Sequence, residues 1–412
     1  MNRSPTKARE ALPAGYGVIW TTVAVDLVGF GIVVPILPQY AERFGVSGTV
    51  IGLLFASFSL AQLVFAPVWG RVSDRVGRKP VILISLFGTA LGSLLTGLAW
   101  SIGVLFVGRV LDGASGASVS VAQAAVADVA PARDRARLMG MLGAAFGVGF
   151  VAGPAIGALA GLGGPHVPFF VAAAISFVNG LVAIRRLPET RPRLTASPAG
   201  HGPAGHDAEA IAAAPALDGP GIAEPAHLAT PNPIEVAVIV RLIVVAFVGM
   251  VAFSGFEATF ALLAERRFDL HISSTAAMFT AIGLGLVGVQ AGLVGPVTRR
   301  LGESRSLRVG LVANGVGLAL LAVEGGWVSL APALALLVVG QGIITPTLAS
   351  AVSLKAREQR GEWLGWQQSA GGVARVIGPV AAGALFQHVG VGAPYLLGAA
   401  LALVAVLLVP ST

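Results

Sequence analysis

Long apolar runs separated by short polar interruptions make up most of the 412-residue chain. The runs do not alternate residue by residue, as the strands of a membrane barrel would, and most are about 20 residues or longer, the length of helix that crosses a hydrocarbon layer. The pattern predicts twelve spans, near residues 16–39, 48–70, 80–99, 102–126, 137–160, 166–186, 237–262, 273–298, 306–324, 327–350, 362–387 and 390–409. Between the sixth and seventh the texture changes to Pro, Ala, Gly and scattered charge ("RPRLTASPAGHGPAGHDAEA"), which predicts a flexible linker. The expected organisation is a six-helix bundle over 1–186, a linker over 187–236 and a second six-helix bundle over 237–412.

Composition agrees with this placement. Soluble domains carry about 25% charged residues, whereas this chain carries 11% and is 55% hydrophobic. Its mean hydropathy is +0.82. The expected fold class is an all-α membrane protein. The chain has no cysteine, which excludes disulfides and thiolate metal sites, and its six histidines show no metal-ligand spacing on a helix, so no metal and no cofactor are expected. No phosphate-cradling Gly-rich loop with Lys is present, which argues against an ATP-driven pump.

Charge sets the expected orientation. An even number of spans puts both termini on one side. With that side cytoplasmic, 22 of the 27 basic residues fall there; Arg43, Arg266 and Arg267 fall opposite, and Arg109 and Arg375 lie within spans. Cytoplasmic loops hold the Lys/Arg excess, so both ends are expected inside, in a plasma (inner) membrane. Basic residues Arg3, Lys7 and Arg9 precede the first run, which is too long for a signal-peptide core and is expected to remain as a span. The pI of 10.7 follows from loop charge, and nucleic-acid binding is not expected.

The halves repeat one another. "GRVSDRVGR" from Gly70 aligns with "GPVTRRLGE" from Gly295 at an offset of 225, "GPAIGAL" from Gly153 with "GPVAAGAL" from Gly378 at the same offset, and "AERF" from Ala41 with "AERRF" from Ala264. Duplicated membrane halves are typical of transporters that rock about a central site.

Several of these stretches carry a family resemblance. "GRVSDRVGRKP" over residues 70–80, "GRVLDGASGA" containing Arg109, and "VDLVGFGIVVPILP" containing Asp26 resemble the major facilitator superfamily, and within it the twelve-helix drug:proton antiporter branch of tetracycline and multidrug efflux proteins. The resemblance implies a conformational latch at Gly70, Asp74, Arg75, Gly77 and Arg78, whose charges bind neighbouring helix ends. Arg299 stands at the repeat position of Asp74, so the second copy lacks the acid. In span five, Gly140, Gly149, Gly153-Pro154 and Gly157 have the spacing of the branch's antiporter motif. Glycines so spaced also clear a groove for a neighbouring helix, the packing reading of the same residues.

Charges within spans are costly and tend to serve function. Asp26, about ten residues into span one, either takes up and releases a proton as a cavity opens to each side or ties helices together as a hydrogen-bonded acid. Arg109 and Asp112, three apart on one helix, share a face. They form either a structural pair or a pair that works with Asp26 in proton handling. Glu257 is placed toward the outer end of span seven, where solvation at the mouth and a cation-selecting role are both open. Arg375 either pairs with Glu257 or backbone carbonyls, or attracts an anionic substrate group. Phe30, Gln62, Gln123, Glu257, Gln341 and Arg375 are the candidates for the substrate cavity.

The expected function is export of small hydrophobic or amphipathic compounds, drugs or metabolites, in exchange for protons by alternating access. The alternatives are proton-coupled uptake of a sugar or organic acid and a non-transporting membrane sensor. No nucleophile–base constellation lies in the spans, so an enzyme is not expected. The partners implied are a small-molecule substrate, protons and the lipid bilayer. One chain holds both halves, so a monomer is the expected state.

Overall fold

A computed structural model describes residues 12–13, 15–131, 134–190, 233–323, 326–356 and 360–410. Among these it contains helices α1 (Tyr16–Glu42), α2 (Gly48–Val76), α3 (Arg78–Gly97), α4 (Ile102–Ser115), α5 (Ser118–Val129), α6 (Arg135–Gly161), α7 (Val167–Arg186), α8 (Pro233–Phe268), α9 (Ile272–Gly288), α10 (Val294–Ala322), α11 (Gly326–Lys355), α12 (Arg360–His388) and α13 (Ala393–Leu408), with a π-helical turn at Val289–Leu293. Ten stretches are long and apolar enough to span a membrane. One of them, Ile272–Ala322, breaks at Gly302, and the shorter α13 adds another, so the twelve expected crossings are all present. The basic residues expected ahead of the first span, and most of the expected linker, lie outside the described residues.

Two residues expected in that linker contact the first half. Leu187 is 2% exposed and packs with the first-half core, and Glu189 is hydrogen-bonded at the start of α3.

The repeat is visible in the backbone. Gly77, between α2 and α3, has φ 108° and ψ 162°, and Gly302, 225 positions on, has φ 75° and ψ 170°. Both are left-handed conformations that residues with a Cβ rarely adopt. Helix contacts repeat too. A Cβ on Gly153 of α6 would come within 2.6 Å of Gly31 on α1, and one on Gly378 of α12 within 2.6 Å of the Val251 carbonyl on α8. Two pseudo-symmetric six-helix bundles result.

The bundles touch along two lines that close at one end and part at the other. Along α2 and α12, Gly52 lies against the Pro379 carbonyl and Gly48 against Gly383, and farther on a Cβ at Gly372 would come within 3.1 Å of Leu63, while one at Gly365, Gly371 or Gly70 would meet nothing within 4 Å. Along α6 and α9, contact runs from Gly161 and Ser273 through Gly283 and Phe150 to Gly147 and Val287, beyond which Gly143, Gly140, Gly288 and Gly292 face open space. Polar side chains seal the closed end. Gln39 Nε2 donates to the Leu270 carbonyl at 2.7 Å and Thr275 Oγ1 at 3.2 Å. The Gly48 amide donates to Gln387 Oε1 at 3.2 Å, and Arg266 stands 3.5 Å from Glu42. Among the described residues, the halves are therefore closed together on the side of Glu42 and apart on the side of Gly77.

Candidate functional site

Span four is not one helix. It breaks between α4 and α5 at Gly116 and Ala117, deep in the bundle, where freed backbone groups require partners. Side chains supply them. Ser85 Oγ accepts from the amides of Ala117 and Ser118 at 3.2 and 3.0 Å and donates to the Ser115 carbonyl. Gln62 Nε2 donates to the Gly116 carbonyl at 3.1 Å, and Trp69 Nε1 to the Ala114 carbonyl at 2.6 Å.

The break places Ser118 beside Asp26. Ser118 Oγ donates to Asp26 Oδ2, while Asp26 Oδ1 is buried with no hydrogen-bond partner. Asp112 lies within electrostatic reach of Asp26. Ser118 and Ser85 carry no signal in the sequence beyond the small-residue run "GASGAS" that permits the break.

Arg109 and Asp112 project from α4 into the same region. Arg109 is 2% exposed, and its Nη1 donates to Asp112 Oδ2 at 2.8 Å. Thr89 of α3 also hydrogen-bonds Asp112. The guanidinium carbon lies 4.3 Å from the centre of the Phe58 ring, and Arg109 Nε has no partner. Arg109→Leu is expected to cost about 3–5 kcal/mol by leaving Asp112 charged and unpaired, and Arg109→Leu/Asp112→Leu to regain most of it. Thermal unfolding of the detergent-solubilised variants checks this; a double variant as unstable as the single would show that the ion pair is not the cause.

Where the halves converge lies a recess of about 30 Å³. Its lining includes Phe30, Phe55, Phe58 and Arg109 from the first half and Glu257, Arg375 and Ser254 from the second, with Phe150 of α6 closing one wall. Glu257 thus belongs to the central recess and not to an outer mouth, since α8 extends well past it to Phe268, and Arg375 acts on it electrostatically. The rings of Phe30 and Phe58 are 5.5 Å apart. Three other candidates stand elsewhere. Gln62 holds the break in span four, Gln341 is buried against Asn314 and Thr345, and Gln123 is exposed on α5.

The charged turn is a bonded network. Arg78 Nη1 donates to Asp74 at 2.6 Å and to Ser73 Oγ at 2.7 Å, and Arg78 Nε to Asp128, at the end of α5, at 2.9 Å. Arg75 also has an interaction partner. Asp128 was not legible as a member, because only the fold brings the end of α5 to the start of α3. Of the span-five glycines, Gly149, Gly153 and Gly157 press on α1 at Leu27, Gly31 and Ile36, with Pro154 among them, whereas Gly140 meets nothing within 4 Å.

Known proteins share this architecture. The chain matches the family model described as Major Facilitator Superfamily over residues 19–358 and 269–411. It is 32% identical to the class B tetracycline resistance protein of Escherichia coli over 371 residues, covering 88% of this chain and 86% of that one. It is 26% identical to multidrug resistance protein 2 of Bacillus subtilis (strain 168), covering 90% and 88%. Among solved structures it is similar to the human organic anion transporter MFSD10 (TETRAN), with a TM-score of 0.66, 25% identity and coverage of 96% and 99%. The duplicated bundles, the charged turn between the second and third spans and these matches together establish that the chain belongs to the Major Facilitator Superfamily.

Proposed function

We propose that this membrane transporter exports drug-like compounds in exchange for protons, with both termini cytoplasmic, working as a monomer whose two bundles, 1–186 and 237–412, are joined by residues 187–236. The observation that carries proton coupling is Asp26: its bare oxygen, its Ser118 partner and its neighbours Asp112 and Arg109 form one buried set in the first half. The recess lies one helical turn away at Phe30. Such a set titrates as a group, so occupancy of the recess can change the proton affinity of Asp26 without touching it.

Export is supported by the names of the tetracycline and multidrug resistance relatives and by the span-five spacing. Drug-sized pockets measure about 300 Å³ or more. A substrate therefore extends from the aromatic recess into the open space on the Gly77 side. Phe30, Phe55, Phe58 and Phe150 suit a flat apolar body, and Glu257 and Arg375 suit its polar groups. Arg375 in that lining also admits a second reading, an organic-anion substrate, in line with the name of the human protein.

The test is purified protein in liposomes loaded with a pH-sensitive dye and challenged with tetracycline, lipophilic cations and organic anions. Proton movement triggered by tetracycline or a cation supports drug:proton antiport, and movement with anions alone supports the second reading. Silence across the panel would overturn proton coupling.

A further inference from the structure

The network at Gly77 has a member from outside the charged turn. Glu189 lies three residues beyond α7 and 111 positions from Arg78. Its Oε1 accepts from the Arg78 amide at 2.8 Å and its Oε2 from the Lys79 amide at 3.2 Å. These are the first two amides of α3, where helix geometry leaves N–H groups without partners and gathers positive partial charge. Lys79 Nζ reciprocates by donating to the Ile184 carbonyl, in the last turn of α7, at 2.8 Å. Gly77 fits the arrangement twice: its φ of 108° favours glycine, and a Cβ there would come within 2.8 Å of the Glu189 carboxyl carbon.

The bonds of Asp74, Arg78 and Lys79 therefore end on α2, on α5, on α7 and on Glu189, all in the first half. On α12 of the second half, a Cβ at Gly365 or Gly371 would meet nothing within 4 Å. Asp74, Arg78 and Lys79, held by these bonds, are not free to bind the other half.

We propose that Glu189 is a positioning residue for the transport cycle: it holds the α2–α3 turn against the first half in the state open on the Gly77 side, and competes with engagement of that turn by the second half. Closing that side requires the carboxylate to give up the two amides. The inference rests on the alternating-access reading above, and it deepens it by naming what restrains the charged turn.

Because the chain has no cysteine, Ser59→Cys places one thiol in the central recess. Its labelling by a membrane-impermeant maleimide is compared in inside-out and right-side-out vesicles, and needs no substrate. Glu189→Gln removes the charge while keeping the shape. It is expected to lower the inside-out to right-side-out ratio by about threefold or more, the scale of a lost charge-assisted hydrogen bond. Glu189→Asp should recover part of the ratio, and Gly77→Ala should shift it in the same direction as Glu189→Gln. In proteoliposomes, the maximal rate of tetracycline transport should fall while KM stays within about twofold, the pattern of a lost conformational step. A ratio unchanged or raised in Glu189→Gln overturns the proposal. If the parent protein moves no tetracycline, the transport reading fails while the labelling ratio still decides the role of Glu189.

Discussion

Asp26→Asn is expected to abolish compound-triggered proton movement in liposomes, by at least about 10²-fold, the scale on which losing a proton-transferring group is felt. Asparagine keeps the size of the side chain and an oxygen that accepts from Ser118 Oγ, so the break in span four and thermal stability should be preserved. It cannot take a proton on the oxygen that is now bare. Tetracycline binding measured by fluorescence quenching should persist, because Asp26 is not among the residues that line the recess. Loss of proton movement with binding intact would place Asp26 in coupling. Undiminished proton movement would remove it from that role and leave the Asp112–Arg109 pair as the remaining first-half candidate.

A comparably large effect is expected from packing. Gly153→Leu drives a side chain into α1, where a Cβ alone already comes within 2.6 Å of Gly31 and 2.8 Å of the Val28 carbonyl. Neither neighbour is a flexible side chain, so the helices must separate, at a cost of about 1–3 kcal/mol or more for an overpacked core. α1 also carries Asp26, and displacing it separates the acid from Ser118. Transport should be lost and the melting temperature in detergent should fall. Gly140→Ala, in the same glycine series, meets nothing within 4 Å and should melt like the parent. Equal effects at the two positions would show that the series acts through something other than the α1 contact.

The charged turn shows where sequence reading ends. The family resemblance implied bonds from its charges to neighbouring helix ends, and the structure brings together Asp74 and Arg78 with Asp128 and Glu189, the last two 50 and 111 residues from Arg78. Neither acid stands out in sequence, because proximity across that separation is made by the packing of α5 and α7 against α3. Glu257 teaches the converse. Counting from span ends set it toward the outer end of span seven, with the cavity and the mouth both open to it, and the packing of α8 puts it in the lining of the central recess.

Sequence by itself determined the number and approximate ends of the spans, the repeat and which charges lie within spans. Each of these depends on local quantities: apolar length against membrane thickness, the high cost of charge in hydrocarbon, and glycine at backbone angles closed to other residues. Only the tertiary structure decided that span four breaks beside Asp26, that Gln62 and Gln341 bond to neighbouring helices, and at which end the described residues of the two halves close together. Those outcomes depend on hydrogen bonds and close approaches between helices far apart in the chain, and two packings of the same helices can satisfy one hydrophobic pattern.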